Sequence, residues 1–427
     1  AFDSAWWPEI MKMLRMWNCP RNLYCLIKDY FRGREVTLRV GNGEAGKMMA
    51  RGCPQGSVVG PLLWNILFDS LLRIELEEGV TITAYADDAL LLVRGRSTPQ
   101  LTERGSRAVG RVIEWGRERK LTFSRAKTVT TLLKGKLVRG PRLQVEGEFI
   151  GCKKEMKYLG VTVGTKMTFE KHIEQVTEKI KGIYGKLAGQ AKANGGMTGK
   201  HMMTLYKGCV EPIMLYGCEF WGKEMKKQEA KRRIMSVQRK ILLKVAKGYN
   251  TVSHDAIRVL TGAIPIDLMI EERMKIWEDK VAGRERSESK ATRREETLNE
   301  WQRRWEGSEK GRQTYDFMPD IRKRFKEEWE MDHYLTQYMT GHGNFKANLK
   351  RFNLVEEDRC DCGELETASH VLMECNMFDE ERRDLRETME RKNLEWGKGN
   401  FAYDQDTRQA LRAAARRIGR KRERWRI

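Results

Sequence analysis

Thr83-Ala84-Tyr85-Ala86-Asp87-Asp88-Ala89-Leu90-Leu91-Leu92-Val93 sets two adjacent acids between apolar runs. Before them Val80, Ile82 and Ala84 alternate with threonines, and after them Leu90 to Val93 form a β-prone block. The pattern predicts two strands meeting at a tight turn, with the acids at its tip. Ionised carboxylates beside a core are costly unless something pairs with them. Two at one tip repel each other unless a divalent cation neutralises them. Mg²⁺ suits such a place because it takes one or two protein carboxylates together with water and substrate phosphates.

Upstream, Ile10, Met13, Leu14 and Trp17 have helical spacing, with Pro8 near the first turn. Asn18-Cys19-Pro20 breaks that helix, and a second is expected from Leu23 to Phe31. Glu35 to Val40 reads as a strand ending at Gly41-Asn42-Gly43, with Gly46 to Arg51 as its partner. Residues 51–72 then read R-G-C-P-Q-G-S-V-V-G-P-L-L-W-N-I-L-F-D-S-L-L. Closely spaced glycines and prolines make a loop whose backbone can lie against a ligand, followed by a core helix. Downstream, Pro99 to Lys120 is an Arg-rich amphipathic helix, and a strand runs to Leu133. Gly147 to Ile150 and Tyr158 to Val163 read as two more strands.

The 427 residues carry 81 Lys and Arg against 60 Asp and Glu, a net charge of +21. Such an excess points first to nucleic acid and second to an anionic membrane. No apolar run is long enough to span a bilayer, and the opening Ala1-Phe2-Asp3-Ser4-Ala5-Trp6-Trp7 has no signal-peptide pattern. Six of the nine cysteines are scattered singly, which fits a reducing compartment. The chain opens inside what reads as a folded element, so a fragment of a longer protein is expected.

From Thr165 onward the pattern is helical and basic. Phe169, Ile173, Val176, Ile180, Ile183 and Leu187 form one apolar stripe, and a second helix runs from about Lys200 to Phe220, disturbed at Pro212. Ala230, Ile234, Val237, Ile241 and Val245 form another stripe, whose helix carries Lys and Arg on its other faces. This predicts nucleic-acid contact. Residues 281–330 are densely charged with both signs mixed, and read as a helical linker or one extended helix.

Cys360, Cys362, His370 and Cys375 have the spacing C-x-C-x7-H-x4-C. Three thiolates and one imidazole suit tetrahedral Zn²⁺, and a site closed by four protein ligands is structural. Gly363 allows the sharp turn, and His370 and Cys375 are expected on one helical turn. The tail from Phe401 to Ile427 is rich in Arg and reads as a phosphate-binding arm.

In order, A-F-D at the start, R-G-C-P-Q-G-S-V-V-G-P-L-L-W-N, A-Y-A-D-D, L-T-F-S-R-A-K-T and Y-L-G-V-T-V resemble the successive motifs of reverse transcriptases. Their wording is similar to non-LTR retrotransposons. The knuckle, with no ribonuclease H segment after it, resembles the type I elements that insert into arthropod ribosomal RNA genes. The resemblance implies an α+β right-hand polymerase with fingers and palm over 1–164 and an all-α thumb over 165–260. A charged helical linker over 261–345 would follow, then a nucleic-acid-binding module over 346–427 with the zinc knuckle and basic tail.

The resemblance makes Asp87 and Asp88 the Mg²⁺ site, and has Lys127 give a proton to the leaving pyrophosphate. Gln55, Gly56 and Tyr85 would meet template and incoming nucleotide, Phe2 would screen the ribose 2′-OH, and Tyr158, Leu159 and Gly160 would grip the primer. It also implies one more metal-binding Asp a few residues before A-F-D, ahead of Ala1. Asp3 follows the Phe and is not that residue. The fragment alone is therefore expected to polymerise poorly or not at all.

The implied activity is RNA-directed DNA synthesis at a nicked chromosomal target, with template RNA, primer or target DNA and dNTPs as partners and no membrane. The resemblance to type I elements implies an endonuclease upstream of the polymerase, outside this stretch, and Met318-Pro319-Asp320 is only a stray match to a Pro-Asp nuclease motif. The implied location is the nucleus, with the nucleolus as a candidate, after cytoplasmic passage as a ribonucleoprotein. Two alternatives are a non-catalytic nucleic-acid-binding remnant and a group-II-intron-like maturase. The knuckle and the Trp6-Trp7-Pro8 opening speak against the maturase.

Overall fold

The computed structural model describes residues 2–54, 56–189, 196–327, 329–402 and 404–425. It divides into two compact units, Ala1–Met167 and Thr168–Ile427.

In the first unit, helices α1 (Trp7–Met16) and α2 (Arg21–Phe31) lead into the hairpin β1 (Glu35–Val40) and β2 (Gly43–Met48). The partner strand begins earlier than the expected Gly46, because Val40 pairs directly with Gly43. Gly41, at φ 59°, turns the chain within two residues. Helix α3 (Gly60–Leu72) is the centre of the unit. Its Leu63, Trp64, Ile66, Leu67, Phe68 and Leu71 are buried among Ile10, Met13 and Leu14 of α1 and the inner faces of β3 (Val80–Tyr85) and β4 (Asp88–Val93). Each such side chain, fully buried, is worth roughly 1.5–3 kcal/mol. Helix α4 (Thr98–Glu118) adds Val112 and Trp115 to the same core. A line of aromatic rings crosses it: Phe2, Trp64, Phe68, Trp115 and Phe123, with successive centroids 5.5, 5.1, 5.5 and 6.4 Å apart.

Strands β5 (Thr130–Thr131), β6 (Arg142–Val145) and β7 (Glu148–Lys153) form a small sheet in the order β5-β7-β6. The stretch 158–163 is not one strand. It is the tip of a hairpin of β8 (Glu155–Tyr158) and β9 (Val161–Gly164). Leu159 and Gly160 both have positive φ, 45° and 82°, which is the requirement of a two-residue I′ turn. Leucine carries no turn signal, so the sequence hides this reversal.

The second unit is helical. Helix α5 (Glu170–Ala188) and the short α6 (Gly199–Leu205) precede a π-helical turn, Tyr206–Val210, then α7 (Glu211–Leu215) and α8 (Cys218–Trp221). The expected single helix over 200–220 is thus broken: Pro212 lacks an N–H, and Gly217 is left-handed at φ 64°. Helix α9 (Gln228–Val245) buries its apolar stripe and packs on α5. Helices α10 (His254–Thr261), α11 (Ile266–Val281) and α12 (Arg286–Glu306) follow.

The charged segment folds back rather than extending. Leu298, Trp301 and Trp305 of α12 are buried, and Arg293 and Arg294 pair with Asp279 and Glu272 of α11 at 2.9 and 2.8 Å. Helices α13 (Arg312–Phe317), α14 (Ile321–Lys326), α15 (His333–Thr340) and α16 (Lys346–Arg351) continue the unit. Asp320 of the stray Pro-Asp match caps α14, its carboxylate accepting from the N–H groups of Arg322 and Lys323 at 2.8 and 3.3 Å.

Helices α17 (Ala368–Met373), α18 (Asp379–Arg391) and α19 (Gln405–Trp425) close the chain. The tail forms a docked helix: Leu411, Ala414, Ala415 and Ile418 of α19 are buried. Its Arg408, Arg412, Arg416, Arg417 and Lys421 pair with Glu327, Asp332, Asp384 and Glu381. No helix among the described residues is long and apolar enough to cross a membrane.

Candidate active site and metal centre

Asp87 lies in the two-residue turn between β3 and β4, and Asp88 opens β4 opposite Tyr85. Ala86 takes the positive φ, 52°, at a position where glycine is the usual choice. A left-handed backbone at a non-glycine residue is strained, and the surroundings must hold it. They do so through Trp64, whose Nε1 donates to the carbonyl of Ala86 at 2.9 Å. Trp64 stands inside the Arg51–Asn65 motif, yet its role as anchor of the acidic turn is visible only in three dimensions.

Asp87 and Asp88 are both exposed. Neither carboxylate makes a hydrogen bond or ion pair among the described residues, so both keep their oxygens free for a hard cation. This donor set fits Mg²⁺.

Phe2 lies against Trp64, and the aromatic line joins it to the acidic turn. The Phe2 carbonyl accepts from Cys53 N–H at 2.8 Å, the Ala5 carbonyl accepts from Gly52 N–H at 2.7 Å, and the Trp7 indole donates to Gly52 O at 2.8 Å. Gly52 cannot be replaced cheaply, because at φ 99° a Cβ there would sit 2.9 Å from the Asp3 carbonyl oxygen. Gly56 also has positive φ, 86°, with open space where a Cβ would be. Gln55 lies outside the described residues.

Tyr85 is 66% exposed, on the same face as its cross-strand partner Asp88. Tyr158, at the end of β8, has its hydroxyl pKa raised by burial and then by the charge of Asp88. The β8–β9 tip, with Leu159 and Gly160, therefore sits within electrostatic reach of the acidic turn. Lys127 ends a 3₁₀ turn, Arg125–Lys127, just beyond Phe123 at the other end of the aromatic line. It is exposed, and no contact joins it to Asp87 or Asp88 among the described residues.

The second cluster lies in the helical unit. The donor atoms of Cys360, Cys362, His370 and Cys375 all fall within 4.8 Å of one another. Cys360 and Cys362 Sγ are each 3.6 Å from Cys375 Sγ, and Cys362 Sγ is 3.1 Å from His370 Nε2. Tetrahedral Zn–S bonds of about 2.3 Å place sulfurs about 3.8 Å apart, so the group fits Zn²⁺.

Local backbone builds it. Gly363, at φ 95°, turns the chain after Cys362, and Cys360 N–H donates to Glu364 O at 2.7 Å. Thr367 caps α17, accepting from His370 N–H at 3.0 Å. Cys375 is not on the helical turn of His370 but just past the end of α17. Its N–H returns to the His370 carbonyl at 2.9 Å. Burial pushes the Cys375 thiol up to about 12 and raises Cys360. At Cys362 burial is outweighed by hydrogen bonds from the Glu364 backbone and from Cys360, and the pKa falls.

Sequence reading missed the residues that brace this centre. Arg382 is fully buried and donates to the carbonyls of Val371, at 3.2 Å, and Cys375. Glu366 pairs with Arg422 of α19, and Glu374 approaches His370 Nδ1 at 3.8 Å. Nothing local marks Arg382 or the pairing of Glu366 with Arg422 across 56 residues.

Comparison with known proteins finds relatives over nearly the whole chain. Residues 1–163 match the family "Reverse transcriptase (RNA-dependent DNA polymerase)". The 115 kDa protein in type-1 retrotransposable element R1DM of Drosophila melanogaster is 32% identical over 98% of this chain and 42% of its own length. A retrovirus-related Pol polyprotein from type-1 retrotransposable element R1 of Bradysia coprophila is 32% identical over 90% of the chain and 40% of its own length. One from Nasonia vitripennis is 31% identical, covering 73% of the chain and 98% of itself. The chain thus spans about two fifths of the first two relatives.

Proposed function

The chain belongs to the Pol polyproteins of type-1 retrotransposable elements, and its first 163 residues are a reverse transcriptase domain; on that premise we propose that it carries the polymerising centre of an RNA-directed DNA polymerase. The observation behind the reading is the Asp87-Asp88 turn, strained at Ala86, anchored by Trp64 and bearing two carboxylates unpaired among the described residues. Mg²⁺ held there would activate a primer 3′-OH and steady the leaving pyrophosphate. Asp87 and Asp88 hold the cation. Phe2, fixed against Trp64, screens the ribose 2′-OH of the incoming nucleotide. Gly56 offers a bare backbone to template and nucleotide. Tyr158, Leu159 and Gly160 keep the primer end beside Asp88, whose charge Tyr158 already feels. Lys127, exposed, gives a proton to the pyrophosphate.

The wider reading is a right-hand polymerase whose thumb is built from the helices that follow Gly164. The Cys360, Cys362, His370 and Cys375 group holds Zn²⁺ as a structural knuckle in a nucleic-acid-binding module. Synthesis starts at a nicked chromosomal target, a ribosomal RNA gene by the type I resemblance, with the endonuclease elsewhere in the polyprotein. The work is done in the nucleus, with the nucleolus as its candidate site.

The test is primer extension on an RNA template with dNTPs and Mg²⁺, using a polypeptide of the relatives' length that carries this chain. Asp87→Asn is expected to lower extension roughly a thousandfold, the loss of several kcal/mol of charge stabilisation, with RNA affinity within about twofold. Extension by the variant at the parent's rate overturns the reading. RNA binding without extension by the parent favours the non-catalytic remnant instead.

A further inference from the structure

The helical unit holds a basic cavity that the polymerase reading does not use. It has a volume of about 350 Å³ and is lined by Lys231 of α9, Arg258 of α10, and Arg303 and Arg304 of α12. One carboxylate, Asp255, lines it as well. Arg258 is 1% exposed. Its Nε donates to Gln238 Oε1 at 3.1 Å and its Nη1 lies 3.5 Å from Asp255. Its Nη2 is buried with no hydrogen-bond partner among the described residues.

Gln238 holds this guanidinium in place. It is itself fixed by the Tyr206 hydroxyl at 2.9 Å, the Ile264 carbonyl at 2.8 Å and the Ile266 N–H at 3.1 Å. The acids behind the cavity are shared between cations. Asp267 accepts from both Lys231 and Arg304, at 2.9 and 2.7 Å, and Glu300 from both Arg303 and Arg304, at 2.8 Å. Four cations therefore stand against three carboxylates around an open volume.

A purely structural ion network would close on itself and leave neither a cavity nor a stranded guanidinium N–H, which is costly to bury unpaired. An anion rich in acceptor oxygens answers both features, and arginine forks match phosphate. The volume admits a phosphate with part of its sugar. Trp301 and Trp305 line the cavity but are only 2% and 1% exposed, so no ring face is offered for base stacking. We propose that this cavity takes one backbone phosphate of a nucleic-acid strand, with Arg258 as its floor and Arg303, Arg304 and Lys231 as its rim. Recognition there is independent of sequence. The site lies wholly in the second unit, so the proposal does not rest on the polymerase reading.

The experiment measures binding of a fluorescently labelled RNA strand by the full chain across a salt series, with inorganic phosphate as competitor. Arg303 has a 74% exposed side chain, so Arg303→Ala leaves the fold intact. That variant is expected to weaken binding roughly 5–10-fold and reduce the slope of log K against log salt by about 1. Lys290→Ala, an exposed cation of α12 outside the cavity, should change affinity less than about twofold. Millimolar phosphate should displace RNA from wild type. In Arg258→Gln, provided its circular dichroism matches wild type, phosphate should lose that effect. If Arg258→Gln does not fold, the Arg303 and Lys290 pair and the wild-type competition decide. Equal effects of Arg303→Ala and Lys290→Ala overturn the proposal, as does phosphate that binds without displacing RNA.

Discussion

The Asp87-Asp88 turn and the Cys360–Cys375 knuckle are both clusters of metal-seeking side chains, and the protein builds them in opposite ways. The acids stand exposed, without hydrogen-bond or ion partners among the described residues, on a hairpin tip held by one indole N–H. The thiols and imidazole converge within 4.8 Å, three of the four residues buried. Around them Thr367, Arg382 and the Glu366–Arg422 pair satisfy the backbone and tie the knuckle to α18 and α19. An open donor set keeps positions for substrate, whereas a closed one uses every position for the fold. On the proposed reading, the difference is between a place for chemistry and a staple.

The harshest test of the contrast is metal removal. A strong chelator should strip one zinc per chain and open the stretch 358–375 to protease. Thermal stability should fall by several kcal/mol, because zinc binding in small modules is folding free energy. The first unit should keep its circular dichroism signal. A chelated chain that resists protease at the knuckle would make the cluster a set of reduced cysteines and nothing more.

Next in size is the brace. Arg382→Met keeps much of the volume but removes the donors to Val371, Leu372 and Cys375. It also leaves Asp379, now 2.7 Å from Nη2, without that partner. Asp379 is half exposed and keeps Arg386 at 3.0 Å, so the cost is that of the buried carbonyls left unmet, about 2–3 kcal/mol. Urea denaturation should show that loss, and zinc should leave at lower chelator concentration. If stability falls but zinc retention does not, the knuckle is self-sufficient and the brace serves only α18.

How much of each region was legible follows from the range of its interactions. The acidic hairpin was readable because alternation and a turn are local, and β3 and β4 form as the pattern requires. The cluster of Cys360, Cys362, His370 and Cys375 was readable because its spacing is local. Trp64 holding Ala86 spans 22 residues, and Arg422 reaches Glu366 across 56. No window of sequence contains such pairs. The Leu159-Gly160 turn failed for another reason: leucine at positive φ contradicts its own propensity. Two packed helices had signals that charge obscured. Leu298, Trp301 and Trp305 lie three and four apart on α12, and Leu411, Ala414, Ala415 and Ile418 do likewise on α19. Both are core stripes, hidden among the arginines that flank them.

A smaller effect is expected from loosening the anchor of the acidic turn. Trp64→Phe keeps an aromatic ring against Phe68 but removes the bond to the Ala86 carbonyl and part of a buried indole. Ala86 is exposed, so water can take the donor's place, and most of the expected loss of about 1–2 kcal/mol comes from the space left by the smaller ring. Primer extension should lose several-fold in kcat with nucleotide KM nearly unchanged, because the bond positions the acids and does not bind substrate. A rise in KM alone would place Trp64 at the nucleotide instead.

The finest distinction concerns strain. Ala86→Gly relieves a left-handed alanine, worth about 1 kcal/mol, but gives the unfolded chain more freedom, worth about 0.5–1 kcal/mol. Net stability should therefore move by no more than a few tenths of a kcal/mol, a difference of those two estimates. Function should move more. A glycine at the tip lets Asp87 sample positions that alanine forbids, so kcat for extension should fall about two- to fivefold at constant template affinity, as expected where strain fixes a reacting group. Equal kcat for alanine and glycine would mean that Trp64 alone sets the turn. The open site would then owe its geometry to one long-range bond, much as the closed one owes its geometry to many.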